Sequence, residues 1–245
     1  MAVPFTKYRG GIPFHWQETS YRSILSFNAF ADAQYRVALD ALGDVQGKTV
    51  VDIGAGDGAL TARIVQKGAR VIAIDNDREG LDLARNLFHE KGLHAEFVYG
   101  DAEEIPLPNS CADAVMASEV IEHLDHPQRF LQEAARILRP GGTLVVTTPY
   151  RLTEHPPQFH VHEFYPEELK ALVELLFTSV TVRETHNLFW YTLSTYRFRT
   201  LRKLQVGKWI VNIMALWFGC NPFLRDSRDR NKWEYYGQIT LSAQR

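Results

Sequence analysis

The run Val50-Val-Asp-Ile-Gly54-Ala-Gly56-Asp-Gly58-Ala-Leu60 constrains the fold of this 245-residue chain more than any other segment. A β-branched stretch runs directly into three glycines in five positions and then into a segment of helical periodicity. A strand, glycine turn and helix in that order bring backbone close to a ligand and aim helix N–H groups at it. A tight turn that binds nothing would not call for all three glycines. Gly54, Gly56 and Ala59 also satisfy a G-x-G-x-x-G/A dinucleotide pattern, so a nicotinamide or flavin site competes at this level.

Short β-branched runs alternate with helical patterns from residue 48 onward, which predicts an α/β fold with a parallel sheet covered by helices on both faces. Strands are expected at 48–53, 70–75, 95–99, 112–118 and 142–149, the last after the turn Arg139-Pro-Gly-Gly142; helices are expected at 59–68, 77–91, 127–138 and 166–177. Two further strands, 180–184 and 238–242, stand more than fifty residues apart. A structureless connection of that length is improbable in a compact domain, so about 187–233 should form a helical cap inserted before the last strand. Residues 1–47 lie outside the alternation and are expected to be an N-terminal helical lid, with Tyr21–Leu42 its clearest helix. Phe14-His-Trp-Gln-Glu-Thr19 and Tyr21-Arg22 either close over an acceptor or pack. The main domain is then 48–245.

Carboxylates decide between ligands. Asp52 sits within the first strand, two residues before Gly54, where it can receive an ammonium group but would repel a pyrophosphate. Asp75 ends the second strand 21 residues after Gly54, at the spacing for a ribose. Gly100-Asp101-Ala102 ends the third, where a carboxylate and an N–H can read an adenine edge. Acids at three successive strand ends suit a cationic ligand without phosphate.

These residues, with Ile74-Asp75, Gly100-Asp-Ala-Glu-Glu-Ile-Pro-Leu-Pro108, Ser118-Glu-Val-Ile-Glu-His-Leu124 and Leu138-Arg-Pro-Gly-Gly-Thr-Leu144, resemble the class I S-adenosylmethionine (SAM)-dependent methyltransferases of the type 11 group over roughly 48–184. The resemblance implies a Rossmann-like sheet of seven strands, the last antiparallel and near Gln238. It also implies that Asp52, Gly54, Ala55, Gly56 and Gly58 hold the amino-acid part of SAM, Asp75 the ribose, and Asp101 with Ala102 the adenine. Asn76 and Ser118, at the same strand ends, complete the expected cofactor set.

Methyl transfer from a sulfonium is an in-line displacement, so alignment supplies much of the catalysis, while a hydroxyl acceptor must also lose a proton. Glu119, Glu122 and His123 form an E-x-x-E-H cluster after the fourth strand, and His160 lies in Phe159-His-Val-His-Glu-Phe164 after the fifth. This set resembles that of small-RNA 2′-O-methyltransferases and of ubiquinone-pathway O-methyltransferases, which implies a divalent metal on Glu119, Glu122, His123 and His160. Two imidazoles favour Mn, Fe, Co or Zn, with Mg also open. The alternative is a metal-free site in which Glu122 and His123 shape the cofactor floor and His123 is the general base. His126 reads as a solvent-exposed helix start. His162 and His155 are loop histidines that could meet substrate, and Tyr150, in Thr148-Pro-Tyr, is a further expected substrate contact.

Charge is informative only locally. With 27 Lys+Arg against 29 Asp+Glu the chain is nearly neutral, which offers no global attraction to nucleic acid. Yet no acid lies between Glu184 and Asp226, where Arg197, Arg199, Arg202, Lys203, Lys208 and Arg225 stand among aromatics. Arg199, Arg202 and Lys203 share a helical face leading into Trp209–Phe218, an arrangement suited to peripheral membrane contact, a lipid-linked phosphate or a glycan; Arg197 and Arg199 are expected acceptor contacts. The competing expectation is that Ile210–Phe218 packs as a core helix over the sheet. That apolar run is about half of the ~20 residues a spanning helix needs, and it contains Asn212. Two cysteines and an N-terminus without an apolar signal core predict a cytoplasmic protein, resting at most on the inner face of a membrane. Oligomeric state is left open.

The expected function is SAM-dependent O-methylation of a glycan, glycolipid or lipid-linked hydroxyl, since Thr148-Pro-Tyr and 159–164 resemble type 11 enzymes of surface-polysaccharide pathways. Competitors are a quinone-pathway phenol O-methyltransferase, a small-RNA 2′-O-methyltransferase and a cofactor-binding partner protein without catalysis.

Overall fold

A computed structural model describes residues 8, 11–19, 27–152, 160–195, 206–226 and 236–245. Its strands are β1 (Thr49–Ile53), β2 (Arg70–Asp75), β3 (Glu96–Tyr99), β4 (Ala112–Ser118), β5 (Leu138–Pro149), β6 (Thr178–Asn187) and β7 (Tyr236–Gln244). Its helices are α1 (Phe14–Thr19), α2 (Ala29–Leu42), α3 (Ala59–Gln66), α4 (Arg78–Lys91), α5 (Pro127–Ile137), α6 (Pro166–Glu174), α7 (Leu188–Thr195) and α8 (Val206–Trp217). The strands form one sheet in the order β3-β2-β1-β4-β5-β7-β6, parallel except that β7 runs against both neighbours. The expected seven-stranded sheet with an antiparallel last strand is therefore present.

Period-two alternation sorts the core into two layers. Ala114 and Met116 of β4, Val50 and Val71 pack against Leu39 and Leu42 of α2 and Leu60 and Ile64 of α3. Val115 and Ala117, with Val51, Ile53 and Val146, pack on the other face against Phe130 and Leu131 of α5 and Leu169 and Val173 of α6. A third, smaller cluster joins Phe27, Ala29 and Ala33 of the N-terminal segment to Val211 and Phe223 of the insertion.

Boundaries moved where tertiary contacts extended or cut an element. The turn expected at Arg139–Gly142 lies inside β5 as a bulge: the register against β4 is irregular between Ala112 and Ala114, Gly141 has φ 78°, and Gly141 N–H donates to Arg245 O (3.0 Å). β6 continues three residues past its expected end to Asn187, and α6 stops at Glu174, short of 177. The described helix α2 begins at Ala29 because the Asn28 side chain accepts from Phe30 N and Ala31 N (3.2 Å each); the expected start at Tyr21 falls outside the described residues. Within the insertion, α7 and α8 are helical as expected.

Candidate active site

The carboxyl ends of β3, β2, β1 and β4 stand side by side and carry every residue expected to meet the cofactor. The glycine turn is fastened to β2, since Gly54 N–H and Ala55 N–H both donate to Ile74 O (2.8 and 3.1 Å). Gly54 cannot be replaced cheaply, with φ at 70° and the position of a Cβ only 2.3 Å from Val120 Cγ2. Asp52 is buried, and its Oδ2 accepts from the Thr61 hydroxyl at 2.6 Å. Burial pushes its pKa up to about 7; the Thr61 bond opposes the rise and the charge of Asp75 adds to it.

Asp75, expected to face a ribose, has a second role in the turn. Its Oδ2 accepts from Gly56 N–H and its Oδ1 from Asp77 N–H (2.7 Å each), so it also braces the turn. Each oxygen keeps a second lone pair for a hydroxyl. Burial raises its pKa against those amide bonds. Asn76 and Asp101 are exposed, Ala102 and Ser118 partly buried; Asp101 Oδ1 accepts from Glu103 N–H (2.8 Å), and the Ser118 and Thr147 hydroxyls are 2.9 Å apart.

The N-terminal segment covers the glycine turn, through Tyr8, which sequence reasoning did not single out, and through His15 and Trp16 of the expected 14–19 run. Tyr8 is buried and packs so closely that a Cβ at Gly56 would stand 2.1 Å from its hydroxyl, which lies 2.9 Å from His15 Nδ1. His15 N–H donates to Asp57 Oδ2 (2.8 Å) and Trp16 Nε1–H to Asp57 O (2.6 Å). The aromatic Phe14-His-Trp run was the available signal. In the structure His15 and Trp16 are engaged with the glycine turn through Asp57.

The second part of the site follows β4. Glu119 adopts φ 56°, unusual for a side-chain-bearing residue, and a 3₁₀ turn at Ile121–His123 comes after it. Glu122 is buried, its Oε2 accepting from the Thr148 hydroxyl (3.1 Å), and burial followed by the charge of Glu119 lifts its pKa well above the ordinary carboxylate range. The Glu122 carbonyl accepts from Val161 N–H (2.8 Å) and His162 N–H (3.0 Å), which pins the 160–162 segment beside it. His123 and His160 rings therefore meet at 5.2 Å, and ligand atoms from Glu122, His123 and His160 all lie within 4.8 Å of one another. His160 Nδ1 is also 3.1 Å from Glu163 Oε1.

Glu119 departs from its expected place as a ligand. Its Oε1 accepts from Gln238 Nε2 (2.5 Å) and the Thr147 hydroxyl (3.0 Å), and it is not part of the three-residue group. Gln238 comes from β7 and had no local sequence signal. Of the expected substrate contacts, Tyr150 is partly buried near Tyr165 (6.0 Å between rings), and His162 Nε2 is buried with no hydrogen-bond partner among the described residues. Arg197, Arg199 and His155 lie outside the described residues.

Residues 51–146 match the model of a methyltransferase domain. A Mycolicibacterium smegmatis protein named "Probable S-adenosylmethionine-dependent methyltransferase" is 34% identical over 134 residues, 52% of this chain. The match spans about half of that relative's length, 51%. Among solved structures, Haemonchus contortus phosphoethanolamine N-methyltransferase 2 has a TM-score of 0.67 at 18% identity, over 98% of this chain and 58% of that one. The [4+2]-cyclase SpnF has a TM-score of 0.61 at 17% identity, over 88% and 81%. The fold is that of the class I methyltransferases. A cyclase among its neighbours shows why the chemistry must be argued from the site.

Proposed function

We propose that the protein is a SAM-dependent O-methyltransferase acting on a hydroxyl of a glycan, glycolipid or lipid-linked intermediate. Asp52 carries the cofactor reading: a carboxylate buried beneath a glycine turn, with its pKa near 7, is a site that an ammonium group completes. SAM, when bound, supplies a methyl group on a positively charged sulfonium. Asp52 would take its ammonium, the 54–58 backbone its amino-acid part, Asp75 the ribose hydroxyls, and Asp101 with Ala102 the adenine.

The group after β4 supports a hydroxyl acceptor. His123 has a side chain 35% exposed on the rim, so its Nε2 can take the acceptor's proton, with Glu122 Oε1 3.9 Å away. Two imidazoles and one carboxylate also fit a divalent ion of the Mn, Fe, Co or Zn type on Glu122, His123 and His160, which when bound would lower the hydroxyl's pKa. Glu119, held to Gln238 by its Oε1, stands outside that group and would have to move to join as a fourth ligand. The acid-free stretch 185–225 favours an anionic or lipid-linked acceptor, presented in the cytoplasm at the inner face of a membrane.

Transfer of radiolabelled methyl from SAM to glycan and lipid-linked extracts, against polyprenyl-phenol extracts, tests the acceptor. Label on the phenol alone overturns it, and failure to bind S-adenosylhomocysteine (SAH) in calorimetry overturns the whole reading. Chelation should abolish activity, Mn or Co should restore it, and His160→Ala should lose the metal while still binding SAH. Full activity after exhaustive chelation would leave His123 as the base without metal.

A further inference from the structure

The insertion leaves the sheet at the rim that carries the site. β6 ends at Asn187 opposite Tyr236, β7 passes Pro149 at Gln238, and Tyr150 N–H donates to Gly237 O (2.9 Å), so α7 starts where β5 ends. Helices α7 and α8 touch backbone to backbone, since a Cβ at Gly207 would fall 1.9 Å from Leu193 O. One side of α8 is anchored: Val211 is buried, and Asn212 accepts from Ala29 N–H (3.4 Å) and donates to Phe27 O (2.7 Å).

The other side is equally apolar but lies open. Ile210 and Trp217, seven residues apart and hence on one face, are 44% and 70% exposed, and Phe218 just beyond the helix is 75% exposed. An amphipathic helix resting on protein would turn polar residues outward here. At 12 residues, about 18 Å, α8 is too short for a hydrocarbon core of about 30 Å, and no described helix is long and apolar enough to cross a membrane. Residues 185–225 contain no acid and six Lys or Arg. An exposed Trp-Phe tip in a uniformly basic stretch is complementary to an interface of acyl chain and anionic headgroup.

We infer that the open face of α8, tipped by Trp217 and Phe218, docks the protein on an anionic lipid surface with the methyl-transfer rim beside the membrane. This deepens the lipid-linked acceptor reading and rests on it for its purpose, but the docking is measurable without cofactor or acceptor. Flotation of the full chain with phosphatidylcholine vesicles containing phosphatidylglycerol should show binding that pure phosphatidylcholine does not support and that high salt weakens. Trp217 emission should shift to the blue. The Trp217→Ser/Phe218→Ser variant should bind these vesicles at least about tenfold more weakly, and Lys208→Glu should weaken binding less. Its thermal midpoint and its SAH affinity in solution should match those of the parent, because both side chains are exposed. Equal flotation of parent and variant, no binding to any vesicle, or a parent dimer by light scattering that the variant dissolves would each overturn the inference. SAH calorimetry separately decides the methyltransferase reading.

Discussion

The rim over β1–β4 and the insertion after β6 are built on opposite terms. The first buries ionisable groups where water is excluded: Asp52 and Glu122 are buried carboxyls whose pKa values burial raises, and Asp75 is gripped by two backbone amides. The second is joined by aromatic faces and by two neutral amides, Asn212 and Asn221, and its one buried acid among the described residues, Asp226, is paired with Arg183 (2.9 Å). Charges placed at a cost in desolvation mark the region that a ligand completes, whereas satisfied neutral contacts mark the region that only has to stay in place.

If that contrast is right, acid should attack the second region through stability. His186, buried in β6 next to the insertion, stacks on Phe223 and lies 3.1 Å by its Nε2 from Phe30 O; burial lowers its pKa to about 4. A depressed histidine contributes stability that is complete above the unfolded value of 6.5 and is lost as pH falls toward 4. The loss should reach about 3 kcal/mol by pH 4. Urea unfolding of the parent and of His186→Asn across that window should show the difference, and parallel profiles would break the comparison.

The first region should fail through binding. Asp52→Asn keeps the size and a partner for Thr61 but removes the charge, so SAH affinity should fall on the order of 100-fold with the fold intact. Calorimetry checks both halves, and undiminished affinity would remove Asp52 from the site. In the insertion, Asn212→Ala strands Ala29 N–H and Phe27 O and should cost about 2 kcal/mol in unfolding while SAH affinity holds. An affinity loss there would mean that the two regions are coupled.

The smallest effect sharpens the role of Asp52. Its pKa near 7 means that an ammonium ligand must displace a proton at lower pH. SAH affinity should rise with pH up to about 7, by at most about tenfold per unit, and then level; in Asp52→Asn the slope should vanish.

Much of this was legible beforehand because its signals are local. Alternation of period two located the strands, and glycines between a strand and a helix located the turn. Acids at strand ends pointed to the side proposed for the cofactor. The E-x-x-E-H spacing brought Glu122 and His123 together, but it could not tell that Glu119 would be drawn to Gln238, 119 residues away. Nor does any spacing show Trp16 reaching Asp57 across 41 residues, or that Asn212, which reads as a flaw in an apolar run, is the bolt between α8 and α2.

The sequence by itself therefore determined the sheet, the turn and the chemistry of the ligands they suit, since backbone propensity and side-chain period act within a few residues. Only the tertiary structure decided which carboxylates are desolvated, which donors they find, and which face of α8 is left open. Burial and hydrogen-bond pairing depend on what the rest of the chain brings alongside, and they set both the pKa of Asp52 and the partner of Glu119.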